Sequence, residues 1–225
     1  SRVINRKGLV TKQEVDGVHV IRTYTYPLLH RSFVWRVVSF LSFMVTSVVA
    51  SLKAKEVDLV IGTSPPIFQA VSSWFVAFLR RCPFLLEIRD LWPDFAIEIG
   101  VLRNPLFIKL SRWLEFFLYK QATRIIVNSP AYSEYLEKKG ITPSKITLIP
   151  NGVDPAMFNP QDDGLDLKQQ WGLDGKFIVT YAGALGLAND ILTILRAANH
   201  LRNQRHIHFL LVGDGKERAN LEAFA

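Results

Sequence analysis

The sequence predicts an α/β protein: a doubly wound parallel sheet in a first Rossmann-like lobe, then the opening of a second Rossmann-like lobe. Three observations predict it. Short apolar runs alternate with longer amphipathic ones along nearly the whole chain, the pattern of parallel strands joined by crossover helices. The apolar runs end in loops rich in Gly, Pro, Asn and Asp. A stretch with three prolines from Pro150 to Pro160 interrupts the alternation, which then resumes.

In order, residues 18–25 read as a strand and residues 32–54 as a long apolar helix. Residues 58–62 form a buried strand ending at Thr63-Ser64-Pro65-Pro66, and a helix follows to about Arg81. Residues 83–87 are the next strand, with Arg89-Asp90-Leu91-Trp92-Pro93-Asp94 as the loop after it. Asn104 and Pro105 pair as N-cap and first-turn residue of a helix to about Gln121. Residues 124–127 are a strand, Asn128-Ser129-Pro130 opens a helix ending near Gly140, and residues 146–149 are the last strand before Pro150-Asn151-Gly152. Beyond the proline-rich stretch, residues 176–182 are a strand, 190–203 a helix and 206–212 a strand, and Gly213-Asp214-Gly215 leads into a final helix. The expected division is a first lobe at 1–150, a linker at 151–175 and a second lobe at 176–225. Right-handed crossovers predict a parallel sheet covered on both faces. Two strands cannot bury both faces of such a sheet, so half or more of the second lobe is expected to lie outside this chain. Both ends, Ser1 and the helical Ala225, read as cut.

With 49% hydrophobic and 21% charged residues, the composition is globular and excludes wholesale disorder. The single cysteine, Cys82, excludes an intramolecular disulfide and a cysteine-based zinc site. The formal charge of +7 is uneven: 20 Lys and Arg stand against 11 Asp and Glu up to Pro150, and 7 against 9 afterwards. A basic first lobe suits phosphate, nucleic acid or an anionic membrane as readily as simple solubility. No helix-turn-helix, zinc or RNA-recognition signature accompanies the charge, so no nucleic-acid partner is expected.

Residues 33–52 are long enough to span a bilayer, at about 1.5 Å per residue, but Arg36 and five Ser or Thr residues argue against a span. On a helical wheel Val37, Leu41, Met44, Val45, Val48 and Leu52 make a core-facing stripe, with Arg36, Ser39, Ser42, Thr46 and Ser47 on the other side. In residues 105–121, Phe107, Leu110, Leu114, Phe117 and Leu118 form the core stripe. Opposite lie Lys109, Arg112, Trp113, Phe116 and Lys120, aromatics among cations that suit a lipid headgroup region or a plain solvated face.

The loop from Arg89 to Asp94 follows the carboxyl end of a strand, where ligands bind in such folds. Asp oxygens can accept from sugar hydroxyls, Trp92 can stack on a sugar ring and Arg89 can hold phosphate; the plainer alternative is a capped turn with Trp92 in the core. Tyr181-Ala182-Gly183-Ala184-Leu185-Gly186 ends a strand ahead of a helix, and small residues there let backbone N–H groups approach a phosphate. Gly213-Asp214-Gly215 repeats the device at the next strand end.

These segments, in this order and together with Ile149-Pro150-Asn151-Gly152-Val153-Asp154, resemble the retaining glycosyltransferases of family 4, which have the GT-B fold. The Arg-Asp-Leu-Trp-Pro loop resembles the bacterial WbuB-like subgroup of surface-polysaccharide assembly (lipopolysaccharide O-antigen, capsule or exopolysaccharide). The resemblance runs from about Gly17 onward. It implies transfer of a sugar from a nucleotide diphosphate donor, with retention and without a metal or other cofactor. The acceptor would be a lipid-linked saccharide or glycan, and the enzyme cytoplasmic, peripheral at the inner face of the plasma membrane. It implies donor contacts at Gly183, Ala184, Gly186, Gly213, Asp214 and Gly215, a hinge at Asn151, Gly152 and Asp154, and the two sets of loops facing each other across a cleft. Acceptor contacts fall to Ser64 and Trp92, with Arg89, Asp90 and Asp94 as the catalytic candidates. The sequence departs from the family in several places. Ala184 stands where many members have a basic residue, Asn189 where they have lysine, and Arg89 where many have histidine. The family's N-terminal glycine loop and late glutamate pair fall outside Ser1–Ala225, so the chain alone is expected to be inactive. Two alternatives remain open, a sugar-nucleotide epimerase of the same architecture and a non-catalytic membrane-associated module.

Overall fold

The computed structural model describes residues 10–27, 33–158, 161 and 164–225, with the side chains of Phe33 and Val34 excepted. The expected helix start at Ser32, and residues 159–160 and 162–163 of the expected linker, lie outside the described residues. The chain divides into two units, Ser1–Asn151 and Gly152–Ala225.

The first unit opens with an antiparallel hairpin, β1 (Val10–Val15) and β2 (Val18–Thr23). The strand expected at residues 18–25 is therefore half of a hairpin, not a member of the parallel sheet. Asp16 and Gly17 join its arms with φ of 51° and 79°, the left-handed pair that a two-residue turn needs for its twist to match the strands.

Helix α1 (Phe33–Ser51) carries the segment that follows the hairpin. The Ser39 hydroxyl donates to the Tyr26 carbonyl at 2.6 Å, Ser42 Oγ accepts from the Tyr26 N–H at 2.9 Å, and Thr46 Oγ1 donates to the Tyr24 carbonyl at 2.7 Å. An extended segment running beside a helix has no ladder of its own, so these hydroxyls satisfy its backbone. The expected orientation of α1 is thereby corrected. Its hydroxyl row faces inward, with Ser39 fully buried, while Leu41, Val45 and Leu52 of the expected core stripe are exposed, Val45 by 59%. Among the described residues no helix is long and apolar enough to cross a membrane.

The parallel sheet follows: β3 (Val60–Ser64), α2 (Ile67–Arg80), β4 (Phe84–Ile88), α3 (Asp94–Glu98), α4 (Pro105–Gln121), β5 (Arg124–Val127), α5 (Pro130–Lys138) and β6 (Ile146–Leu148). The strands lie in the order β3-β4-β5-β6, all parallel. A doubly wound sheet reverses its order once, and the described strands cover one run of it. Strand alternation sends Phe84, Leu86, Ile88, Ile125 and Val127 to one face, where they make the core with Ile67, Ala70, Ala77, Leu118 and Leu136 from the helices. On the other face Leu85, Glu87 and Ile126 are only half-buried and Ile61 is exposed, so among the described residues the sheet is closely packed on one side.

Local chemistry sets the helix ends. Asn104 Oδ1 accepts from the Leu106 and Phe107 N–H groups, and Pro105 occupies the first turn, as expected. Arg80 reaches back to donate to the Leu52 carbonyl at 2.7 Å, capping the end of α1. In α4, Leu118 is buried but Phe107 and Leu110 are half-exposed, so the expected core stripe holds only toward the helix's carboxyl end.

The second unit holds α6 (Leu165–Gln170), inside the segment expected to be linker, then β7 (Phe177–Ala182), α7 (Ile191–His200), β8 (Ile207–Val212) and α8 (Arg218–Phe224). Strands β7 and β8 pair in parallel, and Leu185, Ile191 and Leu221 form a small core.

Gly62 lets β3 and α2 approach closely: a Cβ there would sit 2.5 Å from Ser73 Cβ. Gly62→Ala should cost about 1–3 kcal/mol of unfolding free energy. Ser73→Gly in the same chain should restore most of it, as read by urea titration of the single and double variants.

Candidate functional site

The four described strands of the first unit's parallel sheet run the same way, so their carboxyl ends deliver loops to one edge. A polar pocket of about 550 Å³ opens there, lined by Thr63 near the end of β3, Pro65 after it, Gln69 on α2, Arg89 and Asp90 after β4, Asn128 after β5 and Asn151 after β6. The loop is stitched to its neighbours: the Arg89 N–H donates to the Ser64 carbonyl at 2.9 Å, and Asn128 Nδ2 reaches the Arg89 carbonyl at 3.4 Å. Thr63, Gln69 and Asn128 were not singled out as site residues from the sequence. Their only signal was position at a strand tip or first helical turn. The bonds Ser64–Pro65, Pro65–Pro66 and Trp92–Pro93 are cis.

Within the Arg89–Asp94 loop the side chains part company. Asp90 is exposed and faces the polar pocket. Burial, and then the Asp90 charge, raise the Tyr132 hydroxyl above the ordinary tyrosine range. Trp92 packs against the hydrophobic core and lines a separate apolar cleft, and Ser64 is buried behind the pocket.

Asp94 belongs to a charged cluster beneath the loop. Its Oδ1 accepts from Arg112 Nε and a terminal nitrogen at 3.1 and 3.0 Å, and its Oδ2 accepts from the Tyr135 hydroxyl at 2.6 Å. Lys139 Nζ lies 3.7 Å from the same Oδ2. At the centre is Glu115 of α4, only 2% exposed, accepting from Tyr119 at 2.8 Å and Lys139 at 2.6 Å, with the Tyr135 hydroxyl 3.1 Å away. One hydroxyl proton serves one acceptor at a time, and the shorter contact gives Tyr135's to Asp94. Lys139 also donates to the Tyr135 oxygen. Burial raises the Asp94 carboxyl, but the Tyr135 and Arg112 hydrogen bonds and the charges of Lys139 and Arg112 outweigh it, holding Asp94 below the usual carboxylate range. Burial and the neighbouring carboxylates push both Tyr119 and Tyr135 far up, so they stay protonated donors.

In the second unit the two glycine turns interlock. The Gly183 N–H donates to the Val212 carbonyl and the Leu185 N–H to the Asp214 carbonyl, both at 2.9 Å. A Cβ at Gly213 would lie 1.9 Å from the Gly183 oxygen, and one at Gly215 would lie 2.2 Å from the Leu185 oxygen. Glycine at 213 and 215 is thus required by backbone packing. The turn runs into a short 3₁₀ segment at Leu187–Asn189 before α7, so it does not abut a helix N-terminus directly. The Asn189 amide donates to the Ala184 carbonyl at 2.6 Å, and the Gly215 N–H to its neighbour's carboxylate, Asp214 Oδ1, at 2.8 Å. Of the expected hinge, Asn151 lines the polar pocket, and Asp154 Oδ1 caps a turn by accepting from the Ala156 N–H at 2.9 Å.

An α/β chain with parallel sheets, a polar pocket among the loops at the strand tips and glycine turns in its second unit defines the class: a GT-B-type glycosyltransferase fold. The chain belongs to Glycosyltransferase Family 4, whose family model matches residues 3–157. It is 26% identical over 95% of its length to WcaI of Escherichia coli (strain K12), whose name assigns it provisionally to colanic acid biosynthesis as a glycosyl transferase, and it spans 54% of that protein. It is 35% identical over 47% of its length to a UDP-Gal:alpha-D-GlcNAc-diphosphoundecaprenol alpha-1,3-galactosyltransferase of Escherichia coli, of which it spans 29%. It is 33% identical over 45% of its length to an alpha-galactosylglucosyldiacylglycerol synthase of Streptococcus pneumoniae, of which it spans 28%. Among solved structures, Anabaena HepE in complex with UDP and glucose superposes on 80% of this chain and 46% of its own with a TM-score of 0.60 at 20% identity.

Asp94→Asn should lower stability by about 2 kcal/mol at pH 7 by removing charge-assisted hydrogen bonds. A depressed folded-state pKa gives stability that is fully present above the unfolded value of about 3.9 and lost as pH falls through the folded value. The gap between Asp94→Asn and the parent in urea titrations should therefore close below about pH 4. Lys139→Met, which leaves Glu115 buried without its cation, should cost about 3–5 kcal/mol in the same measurement.

Proposed function

We propose that this chain is the acceptor-side part, with some of the donor side, of a glycosyltransferase that builds bacterial surface polysaccharide. It moves a sugar from a nucleotide diphosphate to a lipid-linked or glycan acceptor with retention of configuration. The observation that carries the proposal is the polar pocket at the strand tips, where Arg89 and Asp90 stand together in a chain of this family. Relatives named for transfer to a diphosphoundecaprenol-linked sugar and for synthesis of a glycosyl diacylglycerol support a lipid-linked acceptor, and HepE's complex with UDP-glucose supports a nucleotide-sugar donor.

In this scheme Asp90 accepts a hydrogen bond from the attacking acceptor hydroxyl and orients it, and Arg89 pairs with acceptor phosphate. Asp94 holds the loop, because both its oxygens are already engaged. The acceptor oxygen bonds to the anomeric carbon, the bond from that carbon to the diphosphate breaks, and the hydroxyl proton is released with the nucleoside diphosphate. No metal ion enters the scheme. The Leu185 amide is committed to the Asp214 carbonyl, so the turn's amides at Ala184 and Gly186 are the ones assigned to the developing diphosphate charge.

The proposal places the protein peripherally on the cytoplasmic face of the membrane. On α4, Trp113 is 63% exposed, with Leu106 and Phe116 beside the exposed cations Lys109 and Lys120. Lys120 Nζ sits 5.1 Å above the Phe116 ring. Rings of this kind bury at a headgroup layer while the cations meet lipid phosphate.

Asp90→Ala in the complete enzyme should cut transfer by at least about 10²-fold while nucleotide affinity stays within about twofold, measured by radiolabel transfer and calorimetry. Unchanged turnover refutes the role of Asp90, and product formed from donor alone favours an epimerase. Flotation with vesicles should rise with anionic lipid and fall about tenfold or more in the Lys109→Ala, Lys120→Ala double variant, at about 1 kcal/mol per cation. Flotation indifferent to anionic lipid removes the membrane contact.

A further inference from the structure

A second cavity of about 530 Å³ lies in the first unit beside the polar pocket, between α1, the start of α2, α3 and α4. Its wall is almost wholly apolar, formed by residues such as Val37, Phe40, Phe95, Ile99, Leu110 and Leu114. Polar side chains enter only as Arg36, Asp90 and Ser111. Phe107 and Leu110 line it while 52% and 51% exposed, although they stand on the stripe of α4 that should face a core. An open apolar trough of this kind costs free energy in water and marks a binding groove.

The cleft and the polar pocket share Pro65 and Asp90, so one molecule with an apolar end and a polar end can occupy both. The charge fits a phosphate-bearing head: Arg36 borders the cleft and Arg89 the pocket, and neither is ion-paired among the described residues. At about 530 Å³ and open to one side, the cleft has room for a chain segment lying beside the pocket.

We infer that this cleft takes the diphosphate-proximal isoprene units of a polyprenyl-diphosphate-linked acceptor, delivering its sugar to the pocket at Asp90. The inference rests on the acceptor reading above and adds the place where the lipid is held. Binding the tail beside the reacting end turns affinity for the chain into orientation of the head, so loss of the tail contact should lower the rate on long-chain acceptors specifically.

The test is photo-crosslinking of the full chain with a benzophenone-bearing farnesyl diphosphate, mapped by mass spectrometry. Labels should fall on the peptides that carry α1, the start of α2, α3 and α4, the elements that line the cleft. Unlabelled geranylgeranyl diphosphate should suppress them, and inorganic diphosphate at equal concentration should not. Leu110→Glu and Phe107→Glu, each at a half-exposed position, should reduce labelling at least tenfold with an unchanged thermal midpoint. Val45→Glu, outside the cleft, should leave labelling unchanged. Labelling of the parent chain confined to peptides that do not line the cleft, or undiminished labelling in both charged variants, overturns the inference. Equal suppression by phosphatidic acid vesicles overturns the polyprenyl assignment in favour of a general acyl-lipid groove. In the complete enzyme, Leu110→Glu should lose at least tenfold in transfer to a polyprenyl-linked acceptor and keep its rate on one with a short alkyl chain. Transfer by the parent to neither acceptor sinks the transferase reading while leaving the crosslink result standing.

Discussion

A carboxylate taken out of water has to be met by donors, and Glu115 is met by donors from both its own helix and its neighbours. Tyr119 lies one turn along α4, and Lys139 immediately follows α5. Desolvation makes any arrangement in which one of them is missing expensive, so the cluster admits few alternatives. Asp94 joins through Tyr135 and Arg112 and anchors the start of α3 to the cluster. The loop that precedes it, with Arg89 and Asp90, is thereby fixed at one end by electrostatics and at the other by the β3–β4 ladder. The polar pocket and the apolar cleft share that loop, so the cluster sets the geometry of each.

The same loop shows how six neighbouring residues acquire separate tasks. Asp90 looks into the polar pocket, Trp92 turns to the apolar cleft, and Asp94 is absorbed into the cluster. A polar pocket and an apolar cleft are then built from one strand-tip connection, an arrangement that suits an amphiphilic ligand better than two distant sites would.

The alternation of apolar runs placed nearly every strand and helix of both units, because parallel strands buried on a face leave a strong periodic signal. What escaped was chemistry assembled over distance. Glu115 and Lys139 are 24 residues apart, and no local pattern in the sequence pairs them. The α1 helix was read with the wrong face inward, since amphipathicity assumes polar groups seek water. Here Ser39, Ser42 and Thr46 are consumed by the carbonyl and amide groups of Tyr24 and Tyr26. The hairpin was half missed although Asp16-Gly17 carries its turn signal, because β1 is mostly exposed and lacks an apolar row. At the site, Asp90 was legible from its place after β4, whereas the difference between it and Asp94 depends on which partners the fold brings up.

The interlocked glycine turns of the second unit restrict how such a protein can diversify. Positions 213 and 215 are spoken for by the carbonyls of Gly183 and Leu185 whatever ligand is present. On the proposed donor role of these turns, a lineage changing its sugar preference would vary the side chains that ride on this frame, Ala184, Asn189 and Asp214 among them, while the frame itself stays closed to mutation. Discrimination between donors would then be written on the decorations of a fixed backbone knot, and grafting a new preference would need few substitutions.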